Sequence, residues 1–255
     1  VARPYTRSFR PALATIYGRL VNKFPALAPV YRWIAHRESY PPFRRKFARR
    51  ELHDAIKREC GQIRGGVFFE AGANDGISFS NKAYLERYCG WTGILVEALP
   101  HKFVECVKNR PGNIVEHCAL VPASFSRTYV EIRYTGLSSQ CPQLSDLDPE
   151  SHVANEARYL LGWEKRLFGQ VFLAPARTLA EVLAKHGVRH VDFMSLDLEG
   201  AEVEALKGMD FEACVVDRLL IETLGESDTV DDLLVKRGFR RSAQFTHRDY
   251  FYRRV

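Results

Sequence analysis

The sequence predicts a doubly wound α/β domain whose sheet ends in an antiparallel hairpin, with a helical appendage at its N-terminus. Three observations carry that reading. From residue 66 onward, apolar strand-like runs alternate with amphipathic helical ones, the pattern of a mostly parallel sheet covered on both faces. The run 67–71 leads through a short loop holding Gly72 and Gly76 into a helical run, and strand, tight turn, helix is how such a domain opens when it binds a nucleoside-containing cofactor. The last two strand-like runs are separated by only Thr246, His247 and Arg248, which marks a hairpin.

The elements follow in order. Residues 1–64 carry 15 Lys and Arg against 4 Asp and Glu, whereas the remainder carries 22 against 27. Amphipathic stretches at 13–24 and 29–35 are broken by prolines, and the basic run Phe43-Arg44-Arg45-Lys46 leads into a helix over 52–60. The expectation is a packed appendage over 1–64, ahead of a catalytic domain over 65–255. The competing reading is docking, as peripheral contact with an anionic membrane or binding to a nucleic acid or an acidic partner. No aromatic stacking array accompanies the charges, so no specific nucleic-acid partner is expected. Strands are expected at 67–71, 93–97, 113–119, 129–134, 191–196, 219–222, 239–245 and 249–253. Helices are expected at 81–88, 101–108, 179–186, 201–208 and 230–236. Between them, 136–170 runs from a polar loop with Pro142 and Pro149 into an amphipathic helix over 149–167. This insertion reads as a cover over the site mouth, where acceptor specificity would reside.

Bulk properties agree with a soluble globular protein. The 255 residues are 46% hydrophobic and 27% charged, with no apolar run of about 18 residues that could span a bilayer. The six cysteines form no C-x-x-C pair and no zinc spacing, and read as reduced thiols of a cytoplasmic protein, membrane-associated if the basic segment docks. The chain starts at Val1, which reads as a fragment or a processed product.

Acids at strand ends mark the chemistry. Ligands of open α/β sheets bind at the carboxyl ends of strands, and that edge should collect Glu70, Glu97, Asp197 and Glu222. Glu97 stands 25 residues after Gly72, near the spacing at which an acid receives ribose hydroxyls. Glu199 and Glu202 open the next helix, where acids are favoured. Asp197 and Glu222 follow apolar strands, where an unpaired acid is costly. A doubly wound sheet closed by an antiparallel hairpin is the Rossmann-like arrangement of class I methyltransferases.

At these residues the chain resembles the FkbM-type methyltransferases, which use S-adenosylmethionine. The resemblance rests on Phe69-Glu70-Ala71-Gly72-Ala73-Asn74-Asp75-Gly76, Ser80-Asn81 and Gly90-Trp91-Thr92-Gly93-Ile94-Leu95-Val96-Glu97-Ala98. It continues through Asp192-Phe193-Met194-Ser195-Leu196-Asp197-Leu198-Glu199-Gly200-Ala201-Glu202 to Leu220-Ile221-Glu222, covering about 66–255. It implies O-methylation of a hydroxyl on a sugar, glycan or natural product. The turn of Gly72, Asn74, Asp75 and Gly76, with Asn81, would hold the methionine part, and Glu70 or Asp75 would lie near its ammonium. Glu97 and Ala98 would meet the ribose, and Cys118 and Ala119 would line the adenine. Asp75 would repel a pyrophosphate, which disfavours a dinucleotide. A rim of carboxylates including Asp197 suits a cationic sulfonium.

An alcohol acceptor must lose its proton, to a base or with help from a metal. Asp197 is the first choice. With Glu222 it could hold a divalent cation such as Mg²⁺ or Mn²⁺; without metal, the base is Asp197, Glu199 or a histidine, His247 or His152. Two other readings remain. A nicotinamide-dependent oxidoreductase is opposed by the missing third glycine and the terminal hairpin. A non-catalytic module tethered by its basic N-terminus is opposed by the intact row of acids.

Overall fold

The computed structural model describes residues 50–78, 80, 82–145 and 162–255, without the side chains of Arg50 and Glu51. The stretches within 1–49, Asn81, His152 and most of the expected 149–167 helix lie outside the described residues.

Helix α1 (Arg50–Cys60) buries Leu52, Ala55, Ile56 and Cys60, the i, i+3, i+4, i+8 face of one helix. Strand β1 (Val67–Ala71) follows, then the glycine turn and α2 (Ala83–Cys89). Ser80 orders the chain entering α2: its Oγ accepts the N–H groups of Lys82 (3.3 Å) and Ala83 (3.2 Å). Strand β2 (Thr92–Glu97) leads into α3 (Pro100–Asn109), which opens on proline, and then β3 (Ile114–His117). The expected 113–119 strand breaks at Cys118. The piece beyond it, β4 (Ala119–Leu120), leaves the main sheet to pair with β6 (Val171–Arg177). Strand β5 (Tyr129–Arg133) pairs antiparallel with β6, so β4, β6 and β5 form a separate three-stranded sheet.

Strand β6 falls outside the expected set, because its sequence VFLAPAR carries Pro175, a residue that lacks a ladder donor. The ladder passes over it: Ala176 N–H donates to Thr128 O at 2.8 Å. The 136–170 insertion is thus the connection of a β5–β6 pair. Its base is closed by Gly169 N–H to Tyr134 O (2.7 Å) and Tyr134 N–H to Gln170 O (2.9 Å). A 3₁₀ turn (Glu164–Arg166) near its end is tied to α3 by a 2.7 Å Lys102–Glu164 ion pair.

The second half adds α4 (Leu179–Lys185), started by a Thr178–Glu181 capping box, then β7 (His190–Val191) and β8 (Phe193–Leu196). After them come α5 (Glu202–Leu206), β9 (Val215–Val216), β10 (Arg218–Glu222), α6 (Ser227–Val235), β11 (Phe239–Gln244) and β12 (Asp249–Arg254). The main sheet has the order β11-β12-β10-β8-β1-β2-β3. Strands β3 to β10 in that row run parallel, and β12 is antiparallel to both its neighbours. This is the class I methyltransferase topology that the alternation and the hairpin predict.

Alternation along β1 sorts the core. Phe69 and Ala71 join a cluster with Met194, Leu196, Ile221 and Val230. Phe68 joins another, with α1, Trp91, Phe193, Leu220 and Phe251. Glu70 shares the second face, because its register partner Ser195 follows Phe193 by two. No helix among the described residues is long and apolar enough to cross a membrane.

Candidate active site

The parallel strands bring their carboxyl ends to one edge. Register pairs Ala71 with Leu196, Leu196 with Ile221 and Ala71 with Val96, so the residues just beyond them are neighbours. The glycine turn lies here. Gly72 and Ala73 each donate N–H to Val96 O at 3.1 Å. Gly72 has φ +78°, and a Cβ there would collide with the Asp197 carbonyl oxygen, so the backbones of the turn and of the β8 end are in direct contact. Asn74 is left-handed (φ 50°), which its short polar side chain tolerates. Its N–H donates to Glu97 Oε2 at 2.7 Å, while Leu99 N–H donates to Oε1 at 2.8 Å. Glu97 is buried, and burial raises its pKa against the pull of those two amides. Asp75 folds the turn back, accepting Ile77 N–H (2.9 Å), Ser78 N–H (2.6 Å) and Ser78 Oγ–H (2.7 Å).

Beyond β8 the acids crowd. Burial and the adjoining Glu222, with which it shares a hydrogen bond, raise the Asp197 pKa well above the usual carboxylate range; Glu199 and Glu202 push the same way. Two carboxyls in hydrogen-bond contact favour taking up one proton between them. Glu199 has φ 51° and Gly200 φ 95°, so the chain turns sharply just after Asp197. The buried Glu202 carboxylate holds that turn, accepting Leu198 N–H (2.6 Å) and Gly200 N–H (3.1 Å); burial pushes its pKa up to about 7. Asn74 and Glu199 are the only left-handed residues other than glycine among the described residues, and both flank this edge.

The methyltransferase FkbM domain model matches residues 70–241, two thirds of the chain. The chain belongs to that family. It is therefore an S-adenosylmethionine-dependent methyltransferase. No curated protein matches it by sequence. Among solved structures it overlaps a TehB-like SAM-dependent methyltransferase from Corynebacterium glutamicum at 10% identity and TM-score 0.42, covering 96% of this chain and 100% of that one. It overlaps Aeropyrum pernix fibrillarin in complex with S-adenosyl-L-methionine at 12% identity and TM-score 0.41, covering 80% and 76%. Likeness this distant bears on neither activity nor acceptor.

The edge of this FkbM-family methyltransferase fits its cofactor by donor set: a buried carboxylate for a diol, a close-packed glycine turn, and an acidic rim for a cationic sulfur. Other residues proposed from sequence take varied places. Glu70 is buried, accepts Ser80 Oγ–H at 3.0 Å and lies 4.0 Å from Lys82 Nζ and 3.7 Å from Arg110 Nη1. The Ala98 carbonyl accepts His117 Nε2–H at 3.0 Å. Cys118 packs in the core with Phe69 and Val96, where burial pushes its thiol up to about 12, and Ala119 is buried in β4. His247 is exposed in the β11–β12 turn, on the same edge, where Thr223 N–H donates to Arg248 O at 2.9 Å. For the metal, the described residues hold one group of three potential ligands, His190, Asp192 and Asp217, whose ligand atoms lie within 4.8 Å of one another. It sits at the opposite end of β8 and β10, away from Asp197 and Glu222. Sequence reading missed Asn109 and Arg110, which close on the turn from the end of α3, and Lys82, whose ammonium lies 4.0 Å from Glu70.

Proposed function

We propose that this methyltransferase transfers its methyl group to a hydroxyl of a sugar, glycan or related natural product, with Asp197 as the general base. The observation that carries the reading is the Asp197–Glu222 pair at the end of β8 and β10, beside the cofactor turn. Bound S-adenosylmethionine supplies an electrophilic methyl on a cationic sulfur. Glu97, anchored by the Asn74 and Leu99 amides, is placed to accept ribose hydroxyls. The turn 72–76 receives the methionine end. With the pair ionised, Asp197, its basicity raised by burial and by Glu222, would accept the acceptor's hydroxyl proton as oxygen attacks the methyl carbon, while the sulfur–methyl bond of the bound cofactor would break and leave the neutral thioether. Glu222 keeps the Asp197 carboxyl oriented and shares the proton afterwards. Methyl transfer also needs the oxygen in line with the sulfur–methyl bond, a matter of positioning, and the 136–170 segment is the element proposed to supply it.

A second reading uses the same pair. Two carboxyls in hydrogen-bond contact offer only oxygen ligands, and a divalent cation in place of the shared proton would be held by Asp197 and Glu222. One experiment separates the versions. Labelled cofactor is offered with a panel of saccharides, and product is measured with and without a chelator. Loss of turnover that Mg²⁺ or Mn²⁺ restores selects the metal; indifference to chelation selects the unaided base. Transfer to nitrogen or carbon acceptors and to no hydroxyl would sink both.

A further inference from the structure

Behind the glycine turn lies a buried polar network. From the end of α3, Asn109 Nδ2–H donates to Asp75 O at 2.8 Å, and Arg110 Nη1–H donates to Gly76 O at 2.8 Å and to Ser80 Oγ at 3.1 Å. Arg110 Nε–H donates to the Glu86 carboxylate on α2, and the guanidinium lies over the Phe68 ring at 5.4 Å. Arg110 is 2% exposed. Gly76 is left-handed (φ +81°), and a Cβ there would lie 2.8 Å from Arg110 Cγ and 2.9 Å from Cys106 Sγ. The turn is thus pressed against the end of α3 with no room for a side chain.

Burying such charges seldom adds stability over an apolar core, so their use is best sought in what they fix. Here the partners converge: two turn carbonyls, the Ser80 hydroxyl that holds the chain entering α2, and the acid at the end of α2's first turn. We propose that Asn109 and Arg110 are positioning residues for cofactor binding, setting the 72–76 turn at the distance from Glu97 that the cofactor requires. The inference rests on the reading that this turn holds the cofactor. A lysine cannot replace Arg110, because one ammonium cannot serve Gly76, Ser80 and Glu86 from a fixed planar fork.

The test is calorimetric titration of the full chain with S-adenosylhomocysteine, with melting measured alongside. Asn109→Ala and Arg110→Lys are each expected to weaken binding about tenfold, the loss of one or two well-placed hydrogen bonds. Cys89→Ala, which opens a cavity in the same apolar cluster without touching the turn, should melt lower yet bind as wild type. Glu97→Ala is the reference arm. Wild-type affinity in both clamp variants beside a weakened Glu97→Ala overturns the clamp and leaves the cofactor reading standing. Wild-type affinity in all three overturns both. Equal loss in Cys89→Ala assigns the effect to general loosening and overturns the clamp. If Arg110→Lys does not fold, Asn109→Ala decides alone.

Discussion

Glu97 accepts two backbone amides and sits at the end of β2 with its carboxylate buried. Glu97→Ala should weaken S-adenosylhomocysteine binding by about 1.5–3 kcal/mol, the range for charged hydrogen bonds; unchanged affinity in a titration would remove the ribose role. Asp197 makes a sharper case because its cost and its use have one origin. A carboxyl held next to Glu222 is a stronger base and also a destabilising one. Asp197→Asn keeps the volume, removes the like-charge conflict and removes the basicity. Turnover should fall about 10²-fold, while stability at pH 8 should rise by about 0.5–2 kcal/mol. A variant that loses turnover and melts lower would mean the pair is a structural contact. These acids were legible in the sequence because each follows an apolar strand. Lys82, Asn109 and Arg110 were not. They reach the site by closing over 12 to 34 residues of chain onto Glu70, Asp75 and Gly76, and the charges of Lys82 and Arg110 near helix ends read equally well as solvated.

The parallel strands and their helices were readable because each is an apolar run of ordinary length bounded by turn residues. The separate β4–β6–β5 sheet was not. Its central strand carries Pro175, and β4 is only two residues long, so neither run has the alternation that marks a strand. Helix α1, expected over 52–60 as part of a packed appendage despite its charge, places Leu52, Ile56 and Cys60 in one apolar cluster with Phe68, Trp91 and Phe251. Ile56 is 2% exposed, so Ile56→Ala should cost about 2–5 kcal/mol in a urea titration. A loss below half a kilocalorie would mean that α1 merely rests on the sheet.

Stability of the whole chain should carry the mark of the acidic edge in its pH dependence. Burial pushes Glu202 up to about 7 from an ordinary 4.5, so the folded state binds this proton more tightly than the unfolded chain does. The contribution is full below pH 4.5 and is lost as pH rises through 7. Wild type should therefore lose melting temperature relative to Glu202→Gln across that window, and parallel curves would refute the assignment. The topology has a consequence of another kind, for synthesis. Strand β12 lies between β10 and β11, and its Phe251 fills the cluster beneath α1. On the ribosome α1 emerges before every strand among the described residues, and β12 after all the others. Until residue 254 has emerged, β10 presents an unpaired edge, β11 has no neighbour, and the cluster under α1 stands open. Such surfaces invite chaperones and premature association. A nascent chain of this protein thus finishes this sheet only after translation has passed β12, and a nonsense codon ahead of β12 would release a chain with both the sheet and its core left open.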